Sequence, residues 1–268
     1  MYGETFWSLN IMNLNLEGKV AVITGGGAGI GKAAALEFAR EGCHVAVCGR
    51  TLSKLEETRK ELESLNCKAY IEAVDVTDIS AMESFAANVV KNLGGLDIWV
   101  NNAGVALPRR IGEVTEEDWD TMMSINLKAV FFNARLAARY MKGSKKGGTI
   151  INISSYASVI PNPTRAVYAI SKIGVNSLTR TFAAEYAPYG IRVVAVVPGS
   201  TETEMNRLLK NPVDNMAMNR HGEVSEIAQP IVFLASAASS YITGTTLEVS
   251  GGKLCVQRPL SCWETSNP

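Results

Sequence analysis

A chain of 268 residues lies near the upper limit of one hydrophobic core, and one large α/β domain fits it as well as two small ones. Its 26 Lys and Arg balance 26 Asp and Glu, with neither a basic stripe nor a polybasic run, so no nucleic-acid or membrane partner is expected. Five cysteines without a C-x-x-C pair (Cys43, Cys48, Cys67, Cys255, Cys262) and two separated histidines, His44 and His221, outline neither a disulfide framework nor a metal site.

Residues 1–15 read as an N-terminal extension. They carry Glu4 and no Lys or Arg, without the charged-then-apolar order of a signal peptide, and Met12 is itself a plausible start. No apolar run approaches the roughly 18 residues of a membrane span. Free thiols in a reducing compartment and a cytoplasmic location are the expectation.

From there short Val/Ile-rich runs alternate with helical stretches. The runs are Val20–Thr24, Val45–Cys48, Ala69–Val74, Ile98–Val100, Thr149–Ile153, Ile191–Val197 and Thr246–Val249. The helical stretches are Ile30–Glu41, Leu52–Leu65, Ile79–Leu93, Glu116–Met141, Val167–Tyr186 and Ser225–Ser236. Near-continuous apolar strands separated by helices predict a doubly wound parallel sheet of seven strands, covered on both faces, in one domain over 16–252. Residues 198–222 interrupt the rhythm and read as a substrate-covering flap. Residues 253–268 read as a C-terminal tail without periodicity.

Three local patterns carry chemistry. After the first strand comes Thr24-Gly-Gly-Gly-Ala-Gly-Ile-Gly31, then Lys32 and an Ala-rich helix. Glycines there let backbone approach a pyrophosphate, and the helix start supplies N–H groups. Gly26, Gly31 and Lys32 also fit the phosphate loop of nucleoside triphosphatases, but that motif next needs Ser or Thr and this chain has Ala33. At the end of the second run, Cys48-Gly49-Arg50-Thr51 lacks the acidic residue that binds a ribose 2′-hydroxyl. Arg50 stands where a guanidinium clamps a 2′-phosphate. Finally, Tyr168 and Lys172 lie four apart on one helix face, with Ser155 thirteen residues before the tyrosine. A neighbouring ammonium is expected to lower the phenol pKa, so that Tyr168 passes a proton to or from an oxygen that Ser155 holds. A hydrolase using Ser155 would need a histidine base, and no G-x-S-x-G elbow surrounds it.

Together these residues resemble the short-chain dehydrogenase/reductase family. Thr24-Gly25-x-x-x-Gly29-x-Gly31 looks like its cofactor loop, and Asn101-Asn-Ala-Gly104 like its second signature. Asn126, Ser155, Tyr168 and Lys172 match its catalytic four, and Pro198-Gly199 with Thr203 resembles the segment over the nicotinamide. The resemblance covers about Leu16 to Gly252 and implies a Rossmann fold and an oxidoreductase. It further implies that Lys172 holds ribose hydroxyls and that Asn126 fixes a water linking Lys172 to solvent. Cofactor contacts are implied from Gly25, Gly29, Ile30, Gly31, Arg50, Asp75, Val76, Asn102, Ala103, Gly104, Tyr168, Lys172, Pro198, Gly199, Thr201 and Thr203. Arg50 favours NADP(H) over NAD(H). A non-catalytic nucleotide-binding protein on the same fold is the reading from another class.

A small ketone or secondary alcohol is the expected substrate, in a pocket made apolar by Met205, Leu208, Leu209, Met216 and Met218 with Val105, Ala106 and Leu107. A carrier-protein-linked 3-oxoacyl ketone and an NAD-dependent alcohol, sugar or steroid reaction are the alternatives within the family. Carrier-linked members often have an arginine before the glycine that is Gly190 here, and this chain has Tyr189, with Lys145 and Lys146 as partial substitutes. The family also implies a homotetramer, or a homodimer, built through Glu116–Met141 and Val167–Tyr186.

Overall fold

The computed structural model describes residues 14–160, 162–209 and 216–255. The extension before Leu14, the tail from 256 onward with Cys262, and the side chains of Leu208 and Leu209 lie outside the described residues.

Seven parallel strands form one sheet: β1 (Val20–Thr24), β2 (His44–Gly49), β3 (Ala69–Ala73), β4 (Ile98–Asn101), β5 (Gly148–Ile153), β6 (Ile191–Pro198) and β7 (Thr246–Val249). Their order is β3-β2-β1-β4-β5-β6-β7. The chain winds outward from β1 to β3, then crosses back to β4 on the other side of β1. The switch point therefore falls between β1 and β4, where a doubly wound sheet opens a crevice at its carboxyl edge. Ile23 sits between Val47 and Val100 in this register.

The apolar runs of the central strands are continuous because those strands feed two cores. Val20 and Val22 face one with Phe85, Trp99, Met141 and Phe182, while Ala21 and Ile23 face the other with Phe38, Leu55, Leu62 and Ile231. The first core lies under α3 (Ile79–Leu93), α5 (Ala129–Ser144) and α6 (Ala166–Tyr186). The second lies under α1 (Gly29–Arg40), α2 (Leu52–Ser64) and α8 (Val224–Ala235). Each large side chain buried this way is worth about 1.5–3 kcal/mol. Local signals set the helix ends. Asp78 caps α3 by accepting the Ala81 N–H at 2.9 Å, and Gly94 ends it at φ 87°. Cys43, Cys48 and Cys67 are buried free thiols.

The structure departs from the expected single helix over Glu116–Met141. A capping box between Thr115 and Asp118 starts α4 (Glu116–Met123), a π-helical turn over Ser124–Lys128 follows, and α5 then runs on to Ser144. The wider turn shifts the facing of the residues after α4 and carries Asn126, fully buried, toward the strand ends. The 198–222 segment is pinched at its neck, where Glu202 N–H meets Gly222 O and Gly222 N–H meets Ser200 O, each at 2.9 Å. It contains a short helix, α7 (Glu204–Leu209).

Candidate active site

A cleft of about 440 Å³ opens over the carboxyl ends of β1, β4, β5 and β6. Its floor is two loops riveted by Thr24. The Thr24 hydroxyl donates to Val100 O at 3.3 Å and accepts the N–H groups of Asn102 and Ala103 at 3.0 and 3.1 Å. The Asn102 amide returns bonds to Thr24 O at 2.9 Å and Gly25 O at 3.2 Å.

Two glycines are sterically required in this floor. Gly25 holds φ +68°, and a Cβ there would lie 3.0 Å from Ala103 Cα. A Cβ on Gly31 would lie 2.4 Å from both the Asn102 amide nitrogen and Gly25 O, so Gly31 packs loop against helix and does not line the cleft. Gly29 and Ile30 line it where α1 begins. Ala28 precedes that helix without a side-chain cap, so the first N–H groups face the cleft, suited to a phosphate.

One end of the cleft is formed by Gly49, Arg50, Thr51 and Lys54. Arg50 is exposed, and its charge reaches Asp75. The Asp75 carboxyl is held below the usual carboxylate range chiefly by the Thr77 N–H at 2.9 Å, with Arg50 assisting. Asp75 and Val76 stand beside this end and do not line the cleft, and Val76 is buried in the core. Across the mouth, Lys54 Nζ pairs with Glu204 at 3.1 Å.

At the opposite end Ser154, Ser155, Tyr168 and Lys172 come together. Lys172 is buried and donates to Ile153 O at 2.8 Å, with Nζ 5.7 Å from the Tyr168 ring centre. Burial lowers its pKa to about 8. The two neighbouring serines have different tasks. Ser154 donates to the Lys172 carbonyl at 3.3 Å, while Ser155 reaches the Tyr168 phenol. Asn126 lies behind the cleft wall: its amide donates to Val105 O at 2.8 Å and its carbonyl accepts Val105 N–H at 2.9 Å. A Cβ on Gly104 would press to 3.2 Å from the Asn126 oxygen and lie in ordinary contact, at 3.7 Å, with Lys172 Nζ. Pro198, Gly199, Thr201 and Thr203, from the start of the 198–222 segment, line a further side of the cleft.

Two expectations are corrected. The phenol pKa of Tyr168 is raised, because the protein packed around its hydroxyl disfavours the anion. The opposing influences are the Ser155 hydroxyl and the charge of Arg165. The residues expected to line the pocket are also only partly the ones that do. Met205 lines it, but Met216 is in the core, Met218 is 60% exposed, and Val105, Ala106 and Leu107 are not among the lining residues. Polar residues that sequence reasoning passed over take their place: Tyr156, Arg165, Ser200 and Asn206. Arg165 was detectable as the residue one helical turn before Tyr168. Neither His44 nor His221 lines the cleft, so Ser155 has no hydrolase-type base. Among the described residues no cluster of His, Cys, Asp and Glu stands ready for a metal, and no helix is long and apolar enough to cross a membrane.

A family model described as short chain dehydrogenase matches residues 19–213. A 3-oxoacyl acyl-carrier-protein reductase of Thermotoga maritima is 39% identical over 244 residues, covering 89% of this chain and 99% of that protein. A glucose 1-dehydrogenase of Gluconobacter oxydans is 39% identical over 243 residues, covering 88% and 91%. The crystal structure of carveol dehydrogenase from Mycobacterium avium in complex with NAD superposes with a TM-score of 0.85 at 31% identity, covering 89% and 98%.

Proposed function

We propose a particular reaction for a chain whose family is plain: it belongs to the short-chain dehydrogenases, and it is an oxidoreductase. The reaction is the NADP(H)-linked interconversion of a ketone and a secondary alcohol. The observation that carries it is the meeting in one cleft of the glycine-lined loop with Ser155, Tyr168 and Lys172.

The residues present fit a nicotinamide dinucleotide. Gly25 leaves bare backbone at the floor, the start of α1 offers N–H groups, and the cleft holds four cations against one carboxylate among its described lining residues. The glycine loop with Asn102, Ala103 and Gly104 would hold it along the floor, and Pro198, Gly199, Thr201 and Thr203 from the flap side. When bound, the nicotinamide supplies the hydride chemistry. Tyr168 gives its proton to the carbonyl oxygen in reduction and takes one from the alcohol in oxidation, with Ser155 orienting that oxygen. Lys172 places a charge beside the ring and donates to hydroxyls. Asn126 acts indirectly, by holding the Val105 backbone and the site around Gly104. The catalytic unit spans 16–252, with 198–222 as the flap.

Arg50 supports NADP(H) over NAD(H), and the NAD bound to the carveol dehydrogenase relative makes cofactor choice the sharpest test. A guanidinium–phosphate hydrogen bond is worth about 1.5–3 kcal/mol, or about 10- to 100-fold in kcat/KM. Wild-type protein should favour NADPH by that order, and Arg50→Asp should reverse the preference; a wild-type preference for NADH sinks the assignment. Normal turnover by Tyr168→Phe would remove the acid–base role.

A free small substrate is favoured over a carrier-linked one, because Tyr189 packs beneath Lys142 at 3.9 Å and offers no cation of its own before Gly190. A homotetramer completes the proposal. Trp119, Phe131, Ile170 and Ile173 expose large apolar surface on α4, α5 and α6, the elements through which subunits would meet. Sedimentation as a monomer would refute it.

A further inference from the structure

We propose that a second cavity, on the flank of α5 and apart from the cleft, is a binding site for the phosphate group of a small molecule. Three helices enclose it, and it holds two cations that no carboxylate neutralises.

The cavity measures about 350 Å³, within the roughly 300–1,000 Å³ of small-molecule sites. Phe132, Arg135, Arg139 and Lys142 lie along it on one face of α5, at spacings of three and four. Glu83 of α3 lines it from one neighbouring helix, and Tyr186, at the end of α6, and Tyr189, in the turn after it, line it from another. Among the described residues the two cavities share no lining residue.

The three cations are used differently. Arg139 pairs with Glu83 across the cavity at 3.2 Å, so those two charges offset each other. Arg135 instead stacks over the Phe132 ring at 4.7 Å, and Lys142 sits over the Tyr189 ring at 3.9 Å. Neither makes an ion pair among the described residues. A ring braces one face of a cation and leaves its N–H groups open to an anion. Long side chains ordered in this way lose less freedom on binding.

Tyr186 marks where the two cations meet. Its ring is held between Phe182 at 5.6 Å and Tyr189 at 6.4 Å. Burial, with the Glu185 carboxylate assisting, pushes its phenol above the ordinary range, while the charges of Lys142 and Arg135 pull it back. Both cations therefore act on one hydroxyl, and that hydroxyl keeps a proton to donate.

The charge count selects the anion. With Arg139 and Glu83 matched, Arg135 and Lys142 face Glu185 as the remaining carboxylate of the described lining. A phosphate monoester carries about −1.5 to −2 at neutral pH and presents three acceptor oxygens. It can take the Arg135 fork, the Lys142 ammonium and the Tyr186 hydroxyl at once, whereas a carboxylate offers two oxygens in one plane. Ile79 and Leu136 supply apolar surface for the organic part of an ester.

The test is calorimetric titration of full-length protein, alone and saturated with NADPH, with phenyl phosphate, inorganic phosphate and benzoate. Phenyl phosphate is expected to bind at least about 10-fold more tightly than benzoate, with or without the cofactor. Arg135→Gln and Lys142→Gln should each raise its Kd about 10- to 100-fold, the worth of a hydrogen bond to a charged group, and leave NADPH binding unchanged. Should either change subunit assembly in sedimentation, Tyr186→Phe, which keeps both charges and removes one hydroxyl, decides by the same loss. Tighter binding of the ester than of inorganic phosphate would support the site and assign it to an organic phosphate, and equal binding would support it and assign it to free phosphate. Benzoate bound as tightly as phenyl phosphate, or no binding of either phosphate, would overturn the proposal. So would phosphate that NADPH displaces, or that Arg50→Gln abolishes while Arg135→Gln does not, since the anion would then lie in the cleft.

Discussion

Thr24→Val tests whether one hydroxyl ties the two cofactor loops together. Thr24 is 2% exposed, and valine matches its shape and strand preference, so packing and backbone are preserved. The change removes the single oxygen that accepts the N–H groups of Asn102 and Ala103 and donates to Val100 O. A buried donor left without a partner costs about 1–3 kcal/mol. Two are lost here, but both residues are only half-buried and can recover part of the cost from water, so the expected loss is about 2–3 kcal/mol. That is a large share of the roughly 5–15 kcal/mol of a folded domain. Thr24→Ser is the control: it keeps the hydroxyl and loses a methyl worth about 0.8 kcal/mol. Urea unfolding at fixed protein concentration reads both variants, with cofactor titration alongside. Valine should lower the midpoint more than serine and weaken NADPH binding, because the loop carrying Asn102 to Gly104 loses its anchor. A valine variant as stable as wild type, or more stable than the serine variant, would refute the argument.

The Lys172 ammonium, lowered by burial from 10.5 to about 8, makes a signed prediction. Between those values the unfolded chain binds the extra proton, so this group adds stability as pH rises through the window and penalises folding below it. Relative to Lys172→Met, wild-type protein should gain about 2 kcal/mol between about pH 7.5 and 9.5, at 1.36 kcal/mol per unit; an unchanged difference in urea unfolding refutes a desolvated lysine. Gly31→Ala places a methyl 2.4 Å from Gly25 O, and an overpacking cost of about 1–3 kcal/mol should appear as lower thermal stability with weaker NADPH binding; a variant with wild-type values would show that the loop yields. Glu204→Gln breaks an exposed pair with Lys54 and should move stability by less than about 1 kcal/mol. A larger loss in thermal unfolding would mean that the pair closes the cleft mouth.

Strand positions were legible because burial on both faces leaves a plain signature. Val20–Thr24 and Ile191–Val197 read directly as strands, since their apolar residues are buried, with Val20 to Ile23 alternating between the two cores. The π turn was not legible. Helical spacing of apolar residues continues from Met122 through Ala129 and Val130, so Ser124–Lys128 reads as ordinary helix. Asn126 was singled out by family resemblance, which names a residue but not the turn that delivers it. Arg165 escaped notice because Asn162, Pro163 and Thr164 break the helical pattern just before it, and burial of an arginine depends on tertiary packing. The methionines misled for a related reason. Met205, Met216 and Met218 share a segment, but only the fold decides that one lines the cleft, one enters the core and one meets solvent.

The same burial acts on both members of the central pair, and in opposite chemical senses. It disfavours the phenolate of Tyr168 and the ammonium of Lys172, so each is driven toward its neutral form. An i, i+4 spacing alone suggests that the lysine charge lowers the tyrosine pKa. Burial outweighs any such lowering here, and the charge of Arg165 opposes it from the other side. At neutral pH the tyrosine thus carries its proton, the state that reduction of a ketone requires, and oxidation of an alcohol must wait for that proton to leave. Removing the Arg165 charge takes away an influence that lowers the phenol pKa. The rising limb of alcohol oxidation should therefore move to higher pH in Arg165→Gln, and a limb that stays in place, or moves down, would mean that the guanidinium does not act on the phenol.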